Sequence, residues 1–179
     1  MRPMRPRLPN LLTGARLVAV VPFAILLATA DDGQSTAAAV IFVAASLTDY
    51  LDGYLARSMH AVSRFGTIVD PLADRLLIDS AVILLTYHDR LLWWLAAPLL
   101  IRDAYLLVMF ERRGTVREVH VSMTGKVATA TIMLALAATM LTSSSWPEVV
   151  YAIGLGISLA AGVQYAIRTQ GGLTSSRPS

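Results

Sequence analysis

The apolar residues of this chain fall into six blocks of about twenty, at roughly 10–30, 36–58, 67–87, 91–111, 121–142 and 147–167. A helix of about 20 residues is about 30 Å long, the thickness of a bilayer's hydrocarbon core. Inside hydrocarbon every backbone N–H and C=O must find a partner within the protein, which leaves only helices or closed barrels. Barrel strands would read as ten-residue alternating segments; these blocks are continuous. Charged residues make up 15% of the 179 residues and mean hydropathy is +0.59, whereas soluble domains are about 25% charged. The expected fold is an all-α membrane protein with six transmembrane helices. Residues 1–170 form one transmembrane domain, and 171–179, rich in Gly, Ser and Pro, form a disordered tail. The chain has no cysteine, so neither disulfides nor thiolate metal sites are available. The Ala-Thr-Ala before Asp31 is a weak cleavage site and further spans follow it, so the first block is read as a retained helix.

Charge placement sets the orientation. The connections around Asp31–Ser35, His88–Arg90 and Ser143–Pro147 carry a single arginine, Arg90. The opposite side carries Arg2, Arg5, Arg7, Arg64, Arg112, Arg113, Arg117, Arg168 and Arg177. By the positive-inside rule both termini are cytoplasmic. Trp93, Trp94 and Trp146 stand at segment ends on the outer side, where an interfacial aromatic belt belongs.

Within the apolar blocks lie Asp49, Asp52, Asp70, Asp74, Asp79 and Asp103. A carboxylate facing lipid costs a few kcal/mol, about 3 at a helix centre, so such residues face a bundle interior or a wet cavity. For Asp79 and Asp103, pairing with arginine near the interface stands beside a functional role. The other four are distinguished by spacing. Asp49 and Asp52 are i,i+3, Asp70 and Asp74 are i,i+4, and each pair shares a helix face. A short cytoplasmic turn makes their helices antiparallel neighbours, which puts both pairs at similar depth. Four converging carboxylates repel unless cations neutralise them. Oxygen-only ligands favour hard divalent cations such as Mg²⁺, Mn²⁺ or Ca²⁺; zinc would call for His or Cys. His60, His88 and His120 lie in loops or at segment edges and are read as surface residues, and Tyr151 as an interfacial or packing residue.

Small residues accompany the aspartates. Gly53 and Ala56 leave room for a bulky group against the backbone, though small residues also serve ordinary helix packing in membranes. Gly66 opens the next span, where its lack of a side chain permits close approach. Arg57 either binds phosphate, neutralises the aspartates or snorkels to headgroups. Pro71 is expected to kink or open its helix.

Together the stretch reads Asp49-Tyr-Leu-Asp52-Gly53-Tyr-Leu-Ala56-Arg57, eight residues, Gly66-Thr-Ile-Val-Asp70-Pro-Leu-Ala-Asp74. It resembles the signature of the CDP-alcohol phosphatidyltransferase family, D-x2-D-G-x2-A-R-x8-G-x3-D-x3-D, at every fixed position. The opening Pro9-Asn10-Leu-Leu-Thr13-Gly-Ala-Arg16 resembles that of bacterial members.

The resemblance implies an enzyme that transfers a phosphatidyl group from CDP-diacylglycerol to an alcohol and releases CMP. It implies two divalent cations, Mg²⁺ or Mn²⁺, held by Asp49, Asp52, Asp70 and Asp74, with Asp74 also the base toward the acceptor hydroxyl. Asp49, Gly53, Ala56, Arg57, Gly66, Asn10 and Thr13 would line the CDP pocket, and Arg102 and Lys126 would bind the acceptor. Arg102-Asp103, Arg112-Arg113-Gly114 and Gly125-Lys126-Val-Ala128-Thr129 resemble CMP-forming cardiolipin synthases, which favours phosphatidylglycerol as acceptor. Glycerol 3-phosphate, giving phosphatidylglycerophosphate, is the alternative. By the same analogy the chain is a homodimer in the cell membrane, with its active site on the cytoplasmic side and with the bilayer, not nucleic acid, as its surroundings. A transporter using intramembrane aspartates is the rival from another class. Against it, the carboxylates cluster at one level and no matched broken helices suggest inverted repeats.

Overall fold

A computed structural model of the chain describes the backbone over 7–59, 64–113 and 123–174, and side chains over 14–48, 75–108 and 123–162. The described residues form six α-helices and no strand: α1 (Arg7–Ala28), α2 (Thr36–Met59), α3 (Arg64–Tyr87), α4 (Trp93–Arg113), α5 (Met123–Leu141) and α6 (Trp146–Thr174). Each helix coincides with one apolar block to within a few residues. Two differences have physical content. The helix α3 runs unbroken through Pro71, because a proline removes one amide donor and leaves the flanking i→i−4 bonds in place. And α6 extends to Thr174, four residues into the stretch expected to be a tail; 175–179 lie outside the described residues, as do Arg2, Arg5, His60, Arg117 and His120.

Hydrogen bonds tie the helix ends together on the side expected to face outward. Nε2 of His88, after α3, donates to the Leu27 carbonyl near the end of α1 at 2.9 Å. The Ser35 amide, ahead of α2, bonds the Met140 carbonyl of α5 at 3.0 Å. Gln34 Nε2 reaches Ser143 Oγ at 2.9 Å, and the Leu92 amide ahead of α4 bonds Glu148 Oε1 of α6 at 3.0 Å. Arg90 donates through Nη2 to the carbonyls of Thr139, at 3.2 Å, and Thr142. Those carbonyls belong to the end of α5, which has no further turn to satisfy them, and a cation there also complements the helix dipole. The single arginine on this side is therefore a helix cap. Gly33 turns the α1–α2 connection at φ +66°, and a Cβ there would stand 2.8 Å from His88 Cβ, so both the turn and the packing require glycine.

Below these ties the interior is apolar. Phe23 and Leu27 of α1, Phe42 of α2, Leu77, Val82 and Leu85 of α3, Leu99 of α4, and Leu136 and Met140 of α5 are all nearly inaccessible. Phe23 and Phe42 rings meet at 5.6 Å between centroids. The helix α1 lies against both α2 and α3, α3 against α4, and α5 against α6 and α2. Consecutive α2 and α3 touch, but each packs far more on α1 than on the other. At the α5–α6 contact a Cβ on Gly154 would lie 3.0 Å from Ile132 Cγ1, the close small-residue approach that helps helices associate in lipid.

The outward faces are apolar too. Val18, Val21 and Ile25 of α1, Val40 and Val43 of α2, Ile83 of α3, Ile101 of α4, Leu134 of α5, and Val149 and Ile153 of α6 are exposed. Among the described residues one helix, Met123–Leu141, is long and apolar enough by itself to cross a membrane.

Candidate functional site

The register of each helix carries its buried stripe toward the charged residues. In α2 the buried positions Ala38, Phe42 and Ala45 continue at three- and four-residue steps through positions 49, 52 and 56. In α3 Leu77, Ile78, Ala81 and Leu85 continue backward through positions 74 and 70. By sequence register alone, both aspartate pairs fall on the helical repeat of those buried positions. An all-carboxylate set fits hard divalent cations, which bind oxygen ligands and offset the mutual repulsion. The side chains of Asp49, Asp52, Asp70 and Asp74, and of Asn10, Thr13, Gly53, Ala56, Arg57 and Gly66, lie outside the described residues, although their helical backbone lies within them. Among the described side chains no three His, Cys, Asp or Glu residues gather as a metal site, and His88 is engaged with Leu27.

Because the outer ends are tied together, depth can be counted along each helix at about 1.5 Å per residue. Asp49 is 13 residues from Thr36, Asp74 13 from Tyr87, Arg75 12 from Tyr87, Arg16 12 from Ala28 and Ser158 12 from Trp146. These residues lie at about 18–20 Å from the tied ends, well inside the bundle. Arg102 and Asp103, 9 and 10 residues from Trp93, lie at about 14–15 Å.

At this depth the structure assembles a group that spacing alone did not reveal. Asp103, on the buried stripe Leu95–Leu99–Asp103 of α4, is only 2% exposed. Its Oδ1 accepts from Arg75 Nη1 at 2.9 Å and from Arg102 Nε and Nη2, each at 2.8 Å. Arg102 Nη1 also donates to the Ser158 hydroxyl of α6. The Arg75 and Arg102 side chains are each 27% exposed. The phenol of Tyr151 and Oδ1 of Asp79 are buried without a hydrogen-bond partner. Tyr151 is within electrostatic reach of Arg102, Asp103 and Asp79.

Of the two acceptor candidates, Arg102 belongs to this group and Lys126 does not. Lys126 is exposed on α5 and lies two residues before the buried Ala128, which turns it to the opposite side of that helix. Arg75, Ser158, Tyr151 and the buried Arg16 were not singled out from the sequence as site candidates, whereas Asp103 was left between a functional role and pairing with arginine. The available signal was charge within an apolar block: Arg75 directly follows Asp74, and Arg16 closes the amino-terminal motif.

The family model for CDP-alcohol phosphatidyltransferases matches residues 7–163, from the start of α1 into α6. The chain belongs to the CDP-alcohol phosphatidyltransferase family. It is an enzyme of that type, which sets the transporter reading aside. The family is divalent-metal dependent in general, in keeping with the carboxylate set.

Individual relatives are similar over most of their length. A CDP-diacylglycerol–glycerol-3-phosphate 3-phosphatidyltransferase of Shigella flexneri serotype 5b is 34% identical over 166 residues, covering 89% of each chain. The protein of that name from Escherichia coli K12 is 34% identical over 151 residues, covering 81% of this chain and 82% of its own. A CMP-forming cardiolipin synthase of Streptomyces coelicolor is 37% identical over 177 residues, covering 91% of this chain and 82% of its own.

Proposed function

We propose that this enzyme transfers the phosphatidyl group of CDP-diacylglycerol to a glycerol-type acceptor and releases CMP. The observation that carries the reading is the family's full aspartate signature, Asp49 to Asp74, carried on the helical segments α2 and α3. In the proposed reaction the acceptor hydroxyl oxygen forms a bond to the phosphorus bearing diacylglycerol. The bond from that phosphorus to the CMP oxygen breaks, CMP leaves with the electron pair, and Asp74 takes the hydroxyl proton. A carboxylate is a weak base at neutral pH, so Asp74 acts on a hydroxyl already positioned and polarised. Asp49, Asp52, Asp70 and Asp74 would hold two divalent cations, Mg²⁺ or Mn²⁺, which when bound offset charge on the diphosphate and on the departing CMP. Gly53, Ala56 and Gly66 give the nucleotide access to the backbone, with Asn10, Thr13 and Arg57 around it.

Glycerol 3-phosphate is placed first as acceptor, because relatives named for it align over nearly nine-tenths of both chains. This reverses the order suggested by the short downstream features. Phosphatidylglycerol is the second reading, supported by the Streptomyces coelicolor relative. Both acceptors carry a phosphate group, which Arg102 would meet; Lys126, turned to the other side of α5, is the lesser candidate.

The exposed apolar faces on all six helices support a six-span membrane protein, because apolar surface of that extent is unfavourable in water. Arginine placement supports cytoplasmic termini and a site open to the cytoplasm, where soluble CMP is released. Trp93, Trp94 and Trp146, each more than half exposed at the outer helix ends, suit an interfacial belt. A homodimer in the cell membrane completes the reading, by analogy with the family.

The test is CMP release from CDP-diacylglycerol by purified protein with Mg²⁺, with glycerol 3-phosphate and phosphatidylglycerol supplied in separate reactions and product masses measured. CMP release with glycerol 3-phosphate and the mass of phosphatidylglycerophosphate is the expected result. Product with phosphatidylglycerol alone transfers the assignment to cardiolipin synthesis. No CMP with either acceptor defeats the transferase reading.

A further inference from the structure

The buried group around Asp103 has a shape that a simple ion pair does not require. One oxygen, Oδ1, receives two guanidiniums from different helices, Arg75 of α3 and Arg102 of α4. The carboxylate is 2% exposed, whereas both arginine side chains keep 27% of their surface open. A guanidinium has five N–H donors in a fixed fork. Arg75 reaches Asp103 through one nitrogen, Nη1. Arg102 is held from both sides, by Asp103 through Nε and Nη2 and by Ser158 through Nη1. Asp79, four residues beyond Arg75 on α3, brings a second carboxylate within electrostatic reach of both arginines and of Asp103.

Burying such a group is costly, and apolar side chains of similar volume would pack without that cost. Its location supplies a reason. Arg75 is the residue after Asp74, and the group lies within about one helical turn of the depth of Asp49 and Asp74. A planar fork fixed in orientation is suited to receiving a phosphate through two hydrogen bonds. Unfixed, a long arginine side chain loses rotamer freedom on binding.

We propose that Asp103 is a positioning residue for the transfer reaction: it sets the Arg75 and Arg102 guanidiniums side by side to receive the phosphate of the acceptor. Ser158 completes the hold on Arg102. The proposal rests on the phosphatidyl-transfer reading above and adds to it two residues, Asp103 and Arg75, together with the class of ligand they serve, a phosphate-bearing alcohol.

The experiment measures CMP release by the full-length enzyme with CDP-diacylglycerol and glycerol 3-phosphate or phosphatidylglycerol varied in turn. The variants are D103N, D103E, R75A, the double variant D103N/R75A, and S158A. For D103N the expected result is an acceptor KM raised on the order of tenfold or more, with KM for CDP-diacylglycerol held within about twofold. D103E restores most of the acceptor KM. D103N and R75A together cost less than the product of their separate effects, because each disturbs the same unit. An acceptor KM unchanged in D103N, or donor and acceptor KM rising together, overturns the proposal. Where D103N does not fold, S158A carries the test by the same split: its acceptor KM rises severalfold, and an unchanged value overturns the proposal. Wild-type enzyme that releases no CMP defeats the transferase reading itself, whereas active wild type with an unmoved D103N acceptor KM defeats only the role of Asp103.

Discussion

The two ends of the bundle use polar residues in opposite ways. At the tied end, His88, Arg90, Gln34 and Glu148 direct their side chains to backbone groups or hydroxyls of another segment. They close helix termini that would otherwise lack partners. In the deeper half, Arg75, Asp79, Arg102 and Asp103 are charges set inside helices whose own backbone is already satisfied. Asp79 Oδ1 and, nearer the tied end, Tyr151 Oη and Arg90 Nε are buried without a hydrogen-bond partner. Polar residues at the first end complete the fold. Those at the second close no helix terminus, and charge in an apolar setting is by default a candidate for function.

The contrast predicts that substitutions in the deep half change kinetics while those at the tied end change stability. The largest effect is expected from Asp49→Asn and Asp74→Asn. CMP release should fall by about a thousandfold or more while the thermal midpoint in detergent stays near wild type. Wild-type turnover by either variant would remove the aspartates from the mechanism. Gly33→Val comes next, since it forces a β-branched residue into a left-handed turn and against His88. It should cost about 2–3 kcal/mol, read as a lower thermal midpoint with both KM values intact below it. Arg102→Ala is expected to raise acceptor KM on the order of tenfold and to leave donor KM nearly unchanged. Arg90→Ala uncaps α5 and should cost about 1–2 kcal/mol of stability without moving either KM. If its acceptor KM moves as far as that of Arg102→Ala, the division between the two ends fails. Lys126→Ala should have the smallest effect, because Lys126 is exposed and faces away from the stripe that contains Ala128. An acceptor KM change equal to that of Arg102→Ala would return Lys126 to the centre of the acceptor pocket.

The helices were readable before any coordinates because one solvent enforces them. Continuous apolar blocks of about twenty residues favour helices over alternating strands, and α1 to α6 begin and end close to most of the block edges. The aspartate pairs were readable for a related reason. Spacings of three and four residues fix a shared face within a single helix, and α2 and α3 are helical through all four positions. Family membership followed from residues close together in the chain, from Asp49 to Asp74. Of the two effects expected of Pro71, a kink or an opening, the opening is not seen: α3 continues through it, since flanking hydrogen bonds carry a helix past one missing donor.

Relations across helices were not readable. Nothing in the local pattern says that Arg90 caps α5, that His88 holds α1, or that α1 takes up most of the packing surface of both α2 and α3. Nor could sequence decide between the two readings of Asp103, a functional role and a pairing with arginine. The structure shows the pairing, and shows that it joins two arginines 27 residues apart and a serine from a third helix. Sequence determined the helical elements and the aspartate spacing, because helical periodicity acts within one segment. Tertiary structure decided that Arg75, Arg102 and Ser158 gather around Asp103, because depth and rotation are set only when six helices pack and their ends are tied at a common level.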